Sequence, residues 1–226
     1  MGLYNAGRYV FRPEWPPLRY VRRLGEYLLG VTVSRQTYNR ATPAFMATLE
    51  GDVFDVGGYN DRLQRAYARG RWWNVDVQPG PRVDRVLDLE HMPEVATGSV
   101  GGVVCLSVLE HTRDPQAALR EIFRVLRPGG AALISVPWMF EEHMGPRDYL
   151  RFSRHACELY LSAFEIVSVD YTNSWWGMVA HLLQHRWYTR FTLGPLFAAV
   201  DLLCRPDPHW ATTIAYHVRK PAPVAG

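Results

Sequence analysis

From Gly51 onward the chain alternates short apolar runs with longer stretches of helical periodicity, and that alternation narrows its fold more than any other feature. Val53–Val56, Trp73–Val77, Arg85–Leu89, Gly102–Ser107 and Ala131–Val136 read as strands, each bounded by Gly, Pro or Asp. After Gly57-Gly58 the spacing of Leu63, Ala66 and Tyr67 predicts a helix. A second helix runs from Pro115 to about Leu126: Asp114 precedes its first-turn proline, and Leu119, Ile122, Phe123 and Leu126 form one stripe. Arg127-Pro128-Gly129-Gly130 then stops it. Phe164–Val169 and Thr212–Val218 read as a terminal antiparallel pair at one sheet edge, with one or two helices across 175–204 between them.

Strands alternating with helices require crossovers and a parallel sheet. The expected architecture is α/β: a doubly wound, Rossmann-like, seven-stranded, mostly parallel sheet with an N-terminal helical cap and a helical insert before the last strand. We expect a single domain over 1–226. Residues 1–50, rich in Arg, Tyr and Pro with a helix near Leu18–Leu29, form the cap or lid; 51–170 form the core; 171–226 form the insert and final strand.

Composition removes several other classes. The 226 residues are 48% hydrophobic, enough for one sizeable core, and no repeat or low-complexity stretch interrupts them. No apolar run reaches the ~20 residues that span a bilayer, and the N-terminus lacks a secretory core, so a soluble, cytoplasmic protein is expected. Cys105, Cys157 and Cys204 are too dispersed for a disulfide scaffold or a zinc knuckle. The net charge of +3 is spread along the chain without a basic stripe, so no nucleic-acid partner is expected.

In a doubly wound sheet, ligands bind beyond the carboxyl ends of the strands. Three acids sit there in succession: Asp55 before the Gly57-Gly58 turn, Asp76 about twenty residues later, and Asp88 at the third strand. A Gly pair lets a ligand approach the backbone, and a carboxylate at Asp76 can accept both hydroxyls of a ribose. Asp88 can accept from an adenine amino group. A nicotinamide fingerprint would need glycines where Tyr59 and Arg62 stand, which disfavours that cofactor.

The succession VFDVGGYND, WWNVDVQPG, VLDLEHMP, VVCLSVLEHTRDP and LREIFRVLRPGGAALISVP resembles the class I S-adenosylmethionine-dependent methyltransferases over about residues 50–170. The overall form is also similar to actinobacterial O-methyltransferases of methylated mannose or glucose polysaccharides. The resemblance implies S-adenosyl-L-methionine as cofactor. It puts Asp55, Gly57 and Gly58 around the methionine part, Asp76 on the ribose and Val77 beside the adenine. Asp88 and the Leu89 backbone fall at the adenine edge, and the Ser107 backbone at the sulfonium end. Tyr59 stands where the family usually has another Gly and would add an aromatic contact at the site.

The segments after the fourth and fifth strands bear on the acceptor. An Asn/Asp-Pro-Pro-Tyr motif of amino-group methylation is absent, and no Cys is placed for pyrimidine carbon methylation. A hydroxyl acceptor is favoured, and it needs a general base. His143 is the first candidate base, with His111 bracing the site and Asp148 orienting a His or pairing with Arg151. The segment 147–153, RDYLRFS, resembles one common in bacterial methyltransferases, in which Arg147, Tyr149 and Arg151 would shape the acceptor pocket. Trp175 and Trp176 in the insert offer flat faces suited to a sugar, so a small-molecule or oligosaccharide acceptor is expected.

Ubiquinone-pathway and small-RNA ribose methyltransferases hold a divalent cation with Glu-x-x-Glu-His and a later His. Here Ser107 replaces the first Glu, leaving Glu110, His111 and His143 as a depleted set. No resident metal is therefore assigned, although magnesium stays open as a cofactor. A ribose 2′-O-methyltransferase on RNA is a second reading, and a non-catalytic binding protein on a degenerate fold is a third. Retention of Asp55, Asp76 and Asp88 argues against the third. The apolar stretch Leu193–Cys204 offers either a homodimer contact or a surface resting on lipid.

Overall fold

The computed structural model describes residues 16–29, 31, 42, 45–58, 67, 69–143, 145, 147–184 and 191–222. One seven-stranded sheet carries β1 (Val53–Val56), β2 (Trp72–Asp76), β3 (Arg85–Val86), β4 (Val100–Leu106), β5 (Leu126–Pro137), β6 (Glu165–Tyr171) and β7 (Thr213–Arg219), in the order β3-β2-β1-β4-β5-β7-β6. Strands β1 to β5 pair in parallel, and β7 runs antiparallel between β5 and β6. The strand order reverses between β1 and β4.

Period-two alternation explains why both faces of this sheet are covered. Phe54, Val56, Ala132, Ile134 and Val136 join a cluster with Leu119 and Ile122 of α2 (Pro115–Val125) and with Tyr216. Val53, Trp72, Val104 and Leu133 point the other way, onto Phe45, Met46 and Leu49. The last three residues, assigned by composition to the cap, are therefore core.

The α2 helix starts as expected: Asp114 Oδ1 accepts from Ala117 N at 2.9 Å and Pro115 occupies the first turn. Its end differs from expectation. β5 begins at Leu126, paired with Val100, and the next pair is Ala131 with Gly102. Arg127–Gly130 is thus a bulge inside the strand, admitted by Gly129 at φ +75° and closed by Gly129 N donating to Lys220 O at 2.9 Å. β3 is shorter than expected because Asp88 turns the chain, accepting from Glu90 N at 2.9 Å and bridging to His91. β2 and β4 start one and two residues before their expected positions. The expected helix carrying Leu63 and Ala66 lies outside the described residues, and Tyr67 is not helical.

Three further helices lie among the described residues after β5: α3 (Arg154–Tyr160), α4 (Trp175–Gln184) and α5 (Gly194–Asp201). The N-terminal α1 (Pro16–Leu28) packs on the insert, where Tyr27 Oη donates to Ala180 O at 2.9 Å and Gln184 Nε2 donates to Tyr27 O at 3.0 Å. Among the described residues, no helix is long and apolar enough to cross a membrane.

Candidate active site

The reversal of strand order sets β1 and β4 side by side, so the turn after each faces the same crevice. Gly57 adopts φ +63°, a conformation open to glycine, and donates its N–H to Val75 O at 2.8 Å. A Cβ there would lie 3.1 Å from Val108 Cγ2, and a Cβ on Gly58 would collide with the carboxylate of Asp55. The turn therefore folds tightly over buried Asp55 and leaves no side chain in the crevice. Opposite it, Ser107 is the only non-glycine with positive φ (55°) among the described residues. Its N–H donates to Ser135 O and to Ser135 Oγ, both at 3.1 Å.

At the neighbouring strand ends, half-buried Asp76 accepts from Gln78 N at 2.8 Å, and Val77 beside it is exposed. Asp88 is exposed at its own turn, while Leu89 is buried. Tyr59 lies outside the described residues. A side-chain-free Gly turn, a strained backbone opposite it and a half-exposed carboxylate at the second strand fit an adenosyl cofactor with a ribose and a charged amino-acid tail.

The chain leaving β4 builds the second half of the site. Ser107 and Val108 run into a single 3-10 turn, Leu109–His111. Glu110 is fully buried and its oxygens make no hydrogen bond; burial pushes its carboxyl up to about 8. The loop after β5 is fastened over it, with Tyr149 N donating to Glu110 O at 2.8 Å. His143 occupies that loop. Its N–H donates to Asp148 Oδ2 at 2.9 Å, its Nδ1 stands 3.3 Å from the same oxygen, and its Nε2 stands 3.5 Å from Glu110 Oε1.

Asp148 both orients His143 and pairs with Arg151. Hydrogen bonds from Arg151, with help from the His143 N–H, hold its carboxyl down at about 2. Arg151 Nε donates to Phe140 O, and its two terminal nitrogens donate to Asp148, Leu150 O and Glu141 O. Every N–H of the guanidinium is committed within the loop. Arg151 is thus a clamp on the loop, with its guanidinium donors spent inside it.

The other expected residues divide between bracing and exposure. His111 Nδ1 is 2.7 Å from Arg147 O, so that nitrogen carries the proton, and the His111 ring stands 5.1 Å from that of His143. The side chain of Arg147 is exposed, as is Tyr149, whose hydroxyl is shifted down by hydrogen bonds from Arg113 and then Arg147. Trp175 and Trp176 meet edge to face at 4.7 Å, and Trp176 stacks on Phe197 at 5.6 Å. The insert also reaches the His143 loop. Buried His181 Nε2 lies 2.9 Å from Glu141 Oε2, and its ring packs against Phe140. Sequence reasoning missed this link, because Glu141 and His181 are forty residues apart.

Glu110, His111 and His143 also form the set among the described residues that could hold a metal ion, their ligand atoms lying within 4.8 Å of one another. The arrangement thus offers two chemistries at one place: a histidine oriented by a carboxylate, able to take a proton, or a three-ligand cation site.

Comparison with known proteins bears on the fold and on one segment of the chain. Residues 56–134 match the family described as a methyltransferase domain. A probable S-adenosylmethionine-dependent methyltransferase of Mycolicibacterium smegmatis is 38% identical over 82 residues, covering 36% of this chain and 29% of that protein. A ubiquinone biosynthesis O-methyltransferase of Xanthomonas oryzae pv. oryzae is 41% identical over 51 residues, covering 23% of this chain and 21% of its own length. The chain therefore spans less than a third of each of these relatives. A putative methyltransferase from Haloferax volcanii, solved with its Trm112 activator, superposes with a TM-score of 0.55 at 17% identity, over 91% of this chain and 95% of its own. The fold is thus one shared with solved methyltransferases, and the segment 56–134 is similar to a methyltransferase domain.

Proposed function

We propose that this chain is an S-adenosylmethionine-dependent O-methyltransferase that methylates a saccharide hydroxyl, with His143 as general base. The observation that carries the reading is the Asp148–His143 pair beside the Ser107 turn, the arrangement of a base held by a second group. Bound cofactor supplies a methyl group already activated on a sulfonium. The residues of the chain do the rest: Gly57, Gly58 and Ser107 seat the methionine end, and Asp76 accepts from the ribose hydroxyls. Asp148 fixes the imidazole, and His143 takes the proton as the acceptor oxygen bonds to carbon and the carbon–sulfur bond breaks. Alignment and exclusion of water supply much of the acceleration. Exposed Trp175 supports a sugar face, and the O-methyltransferase name of one matched relative supports an oxygen acceptor.

The test is methyl transfer to saccharide acceptors, followed by mass, in the wild type and in His143→Ala. The variant should bind S-adenosylhomocysteine normally and turn over about 10²–10⁴-fold more slowly. Lost cofactor binding in His143→Ala would make the residue structural. Asp76→Ala should weaken S-adenosylhomocysteine binding at least tenfold, and unchanged affinity would remove the cofactor placement.

The cluster of Glu110, His111 and His143 favours a second reading, in which a divalent cation holds the acceptor oxygen and His143 is its ligand. Two imidazoles with one carboxylate suit a transition metal better than magnesium, which prefers oxygen ligands. Activity that survives a strong chelator would discard this reading.

A further inference from the structure

His181 lies on α4 with no solvent exposure, on the buried face that it shares with Gly177, Ala180 and Gln184. An imidazole in such a position costs desolvation that Leu or Ala would not, unless the ring is hydrogen-bonded. Its partner is distant in sequence: Glu141 Oε2, in the loop after β5, accepts from His181 Nε2 at 2.9 Å.

Glu141 and Phe140 stand two and three residues before His143. Their carbonyls are held within the loop, where Arg151 donates to Phe140 O at 2.9 Å and to Glu141 O at 2.6 Å and is itself paired with Asp148. Their side chains are held by α4. Glu141 accepts from His181, and the Phe140 ring meets the His181 ring at 4.5 Å and the His143 ring, edge to face, at 5.2 Å. His181 thus reaches His143 by two routes, a hydrogen bond through Glu141 and a packed ring through Phe140.

The support for this hold is itself fixed at both ends. Ser174, just before α4, donates from N and Oγ to buried Asp201 of α5 at 2.8 and 2.6 Å. A Cβ on Gly177 would run into the same carboxylate, so helix and acid are in close contact. At the other end Ala180 O accepts from Tyr27 Oη at 2.9 Å, and Gln184 Nε2 donates to Tyr27 O at 3.0 Å. The His181 imidazole therefore projects from a clamped helix.

His143, by contrast, is weakly held by its own ring. Its nitrogens stand 3.3 Å from Asp148 Oδ2 and 3.5 Å from Glu110 Oε1, long for hydrogen bonds, and its side chain is 34% exposed. A ring held at such distances takes its place from the loop that carries it. We propose that His181 is a positioning residue for His143: through Glu141 and Phe140 it sets the loop so that the His143 ring stays between Asp148 and Glu110. The consequence for turnover rests on the proposed function, whereas the placement of the ring does not.

The experiment observes isotope-labelled histidine rings by NMR in the chelator-treated full chain, without cofactor or acceptor. The His143 signals are those missing from His143→Gln. His181→Phe keeps a ring against Phe140 and removes the donor; the His143 signals should move or broaden, while those of His217 on β7 stay in place. His181→Gln puts an amide donor where Nε2 stood and should restore the wild-type signals. Glu141→Ala cuts the same link at a partly exposed loop position, which guards against a core variant that fails to fold, and should displace the same signals. Glu141→Gln keeps an accepting oxygen and should not. In methyl transfer, His181→Phe should lower kcat at least tenfold with little change in KM for the cofactor, and His181→Gln should recover most of the loss. His143 signals that stay in place in both His181→Phe and Glu141→Ala overturn the proposal. So does a displacement as large in the two glutamine variants, which would leave His181 a packing residue only. The ring signals need no acceptor, so failure of the saccharide reading would show in the transfer assay alone.

Discussion

His143 Nε2 stands 3.5 Å from Glu110 Oε1, a carboxyl with no solvent exposure and no hydrogen bond, while its Nδ1 stands 3.3 Å from Asp148 Oδ2. One imidazole is thus held between two acids in opposite states. Asp148 is ionised and paired with Arg151, and Glu110 is pushed by burial towards its neutral form.

That asymmetry makes Glu110 a burden on folding at high pH. Its folded pKa of about 8 lies above the unfolded value, so its contribution is harmless below about 4.5 and increasingly unfavourable as pH rises towards 8. Glu110→Gln has the same shape and no charge. In chelator-treated protein its thermal stability should exceed that of the wild type by a margin that grows between pH 5 and pH 8 and then levels off, on the order of 5 kcal/mol at the plateau. A margin independent of pH would mean that the carboxyl titrates normally.

Asp148 works in the other direction. Its carboxyl is held at about 2 and its side chain is 1% exposed. The stability it contributes is therefore present above about 4 and lost as pH falls towards 2. Asp148→Ala leaves the Arg151 guanidinium uncompensated and should cost about 3–5 kcal/mol in denaturant unfolding. Asp148→Asn keeps the shape and should retain S-adenosylhomocysteine binding while lowering turnover at least tenfold, because the imidazole loses its orienting charge. Full turnover in Asp148→Asn would leave His143 without need of a partner.

The positive φ of Ser107 predicts an ordered series at one position. Glycine adopts this conformation freely and the entropy it loses offsets the strain it relieves, so Ser107→Gly should stay within about 0.5 kcal/mol of the wild type. A β-branched residue is strained there, and Ser107→Val should lose about 2 kcal/mol and bind S-adenosylhomocysteine more weakly. Urea midpoints and calorimetric titration measure both. Equal stability of the two variants would mean that the turn relaxes without cost.

The parts of this architecture legible in the sequence are those written in local patterns. The acids at Asp55 and Asp76 mark the ends of β1 and β2, and Asp88 the turn just past β3, because charge interrupts apolar runs there, and the Thr212–Val218 run reads as a strand by its alternation. The bulge at Arg127–Gly130 was not legible, since Pro-Gly-Gly signals a turn equally well inside or outside a strand. Glu110 reads as a surface acid in Leu-Glu-His, and only the loop fastened over it by Tyr149 seals it. The buried face of α4 was hidden too. A periodic apolar stripe says that a helix has two faces, and only packing against α1 and Asp201 says which of them is inside.

His217 gives the opposite pH signature to Glu110 and can be separated from it. It sits on β7 between Leu133 of β5 and Ser168 of β6, its ring against Phe45 at 4.9 Å and its Nε2 without a hydrogen bond. Burial, and then the charge of Arg219, lowers its pKa to about 4. A histidine held neutral in the fold contributes fully above its unfolded pKa of about 6.5, and the protein loses stability as pH falls from there to about 4. Asp148 and Glu121, both held near 2, titrate below that window, and Glu110 slopes the other way within it. His217→Phe keeps the contact with Phe45 and removes the titration. The difference in melting temperature between variant and wild type should therefore widen in favour of the variant from pH 7 to pH 4, while above pH 7 it stays constant. A difference that does not change across that range would mean that His217 is protonated in the folded protein.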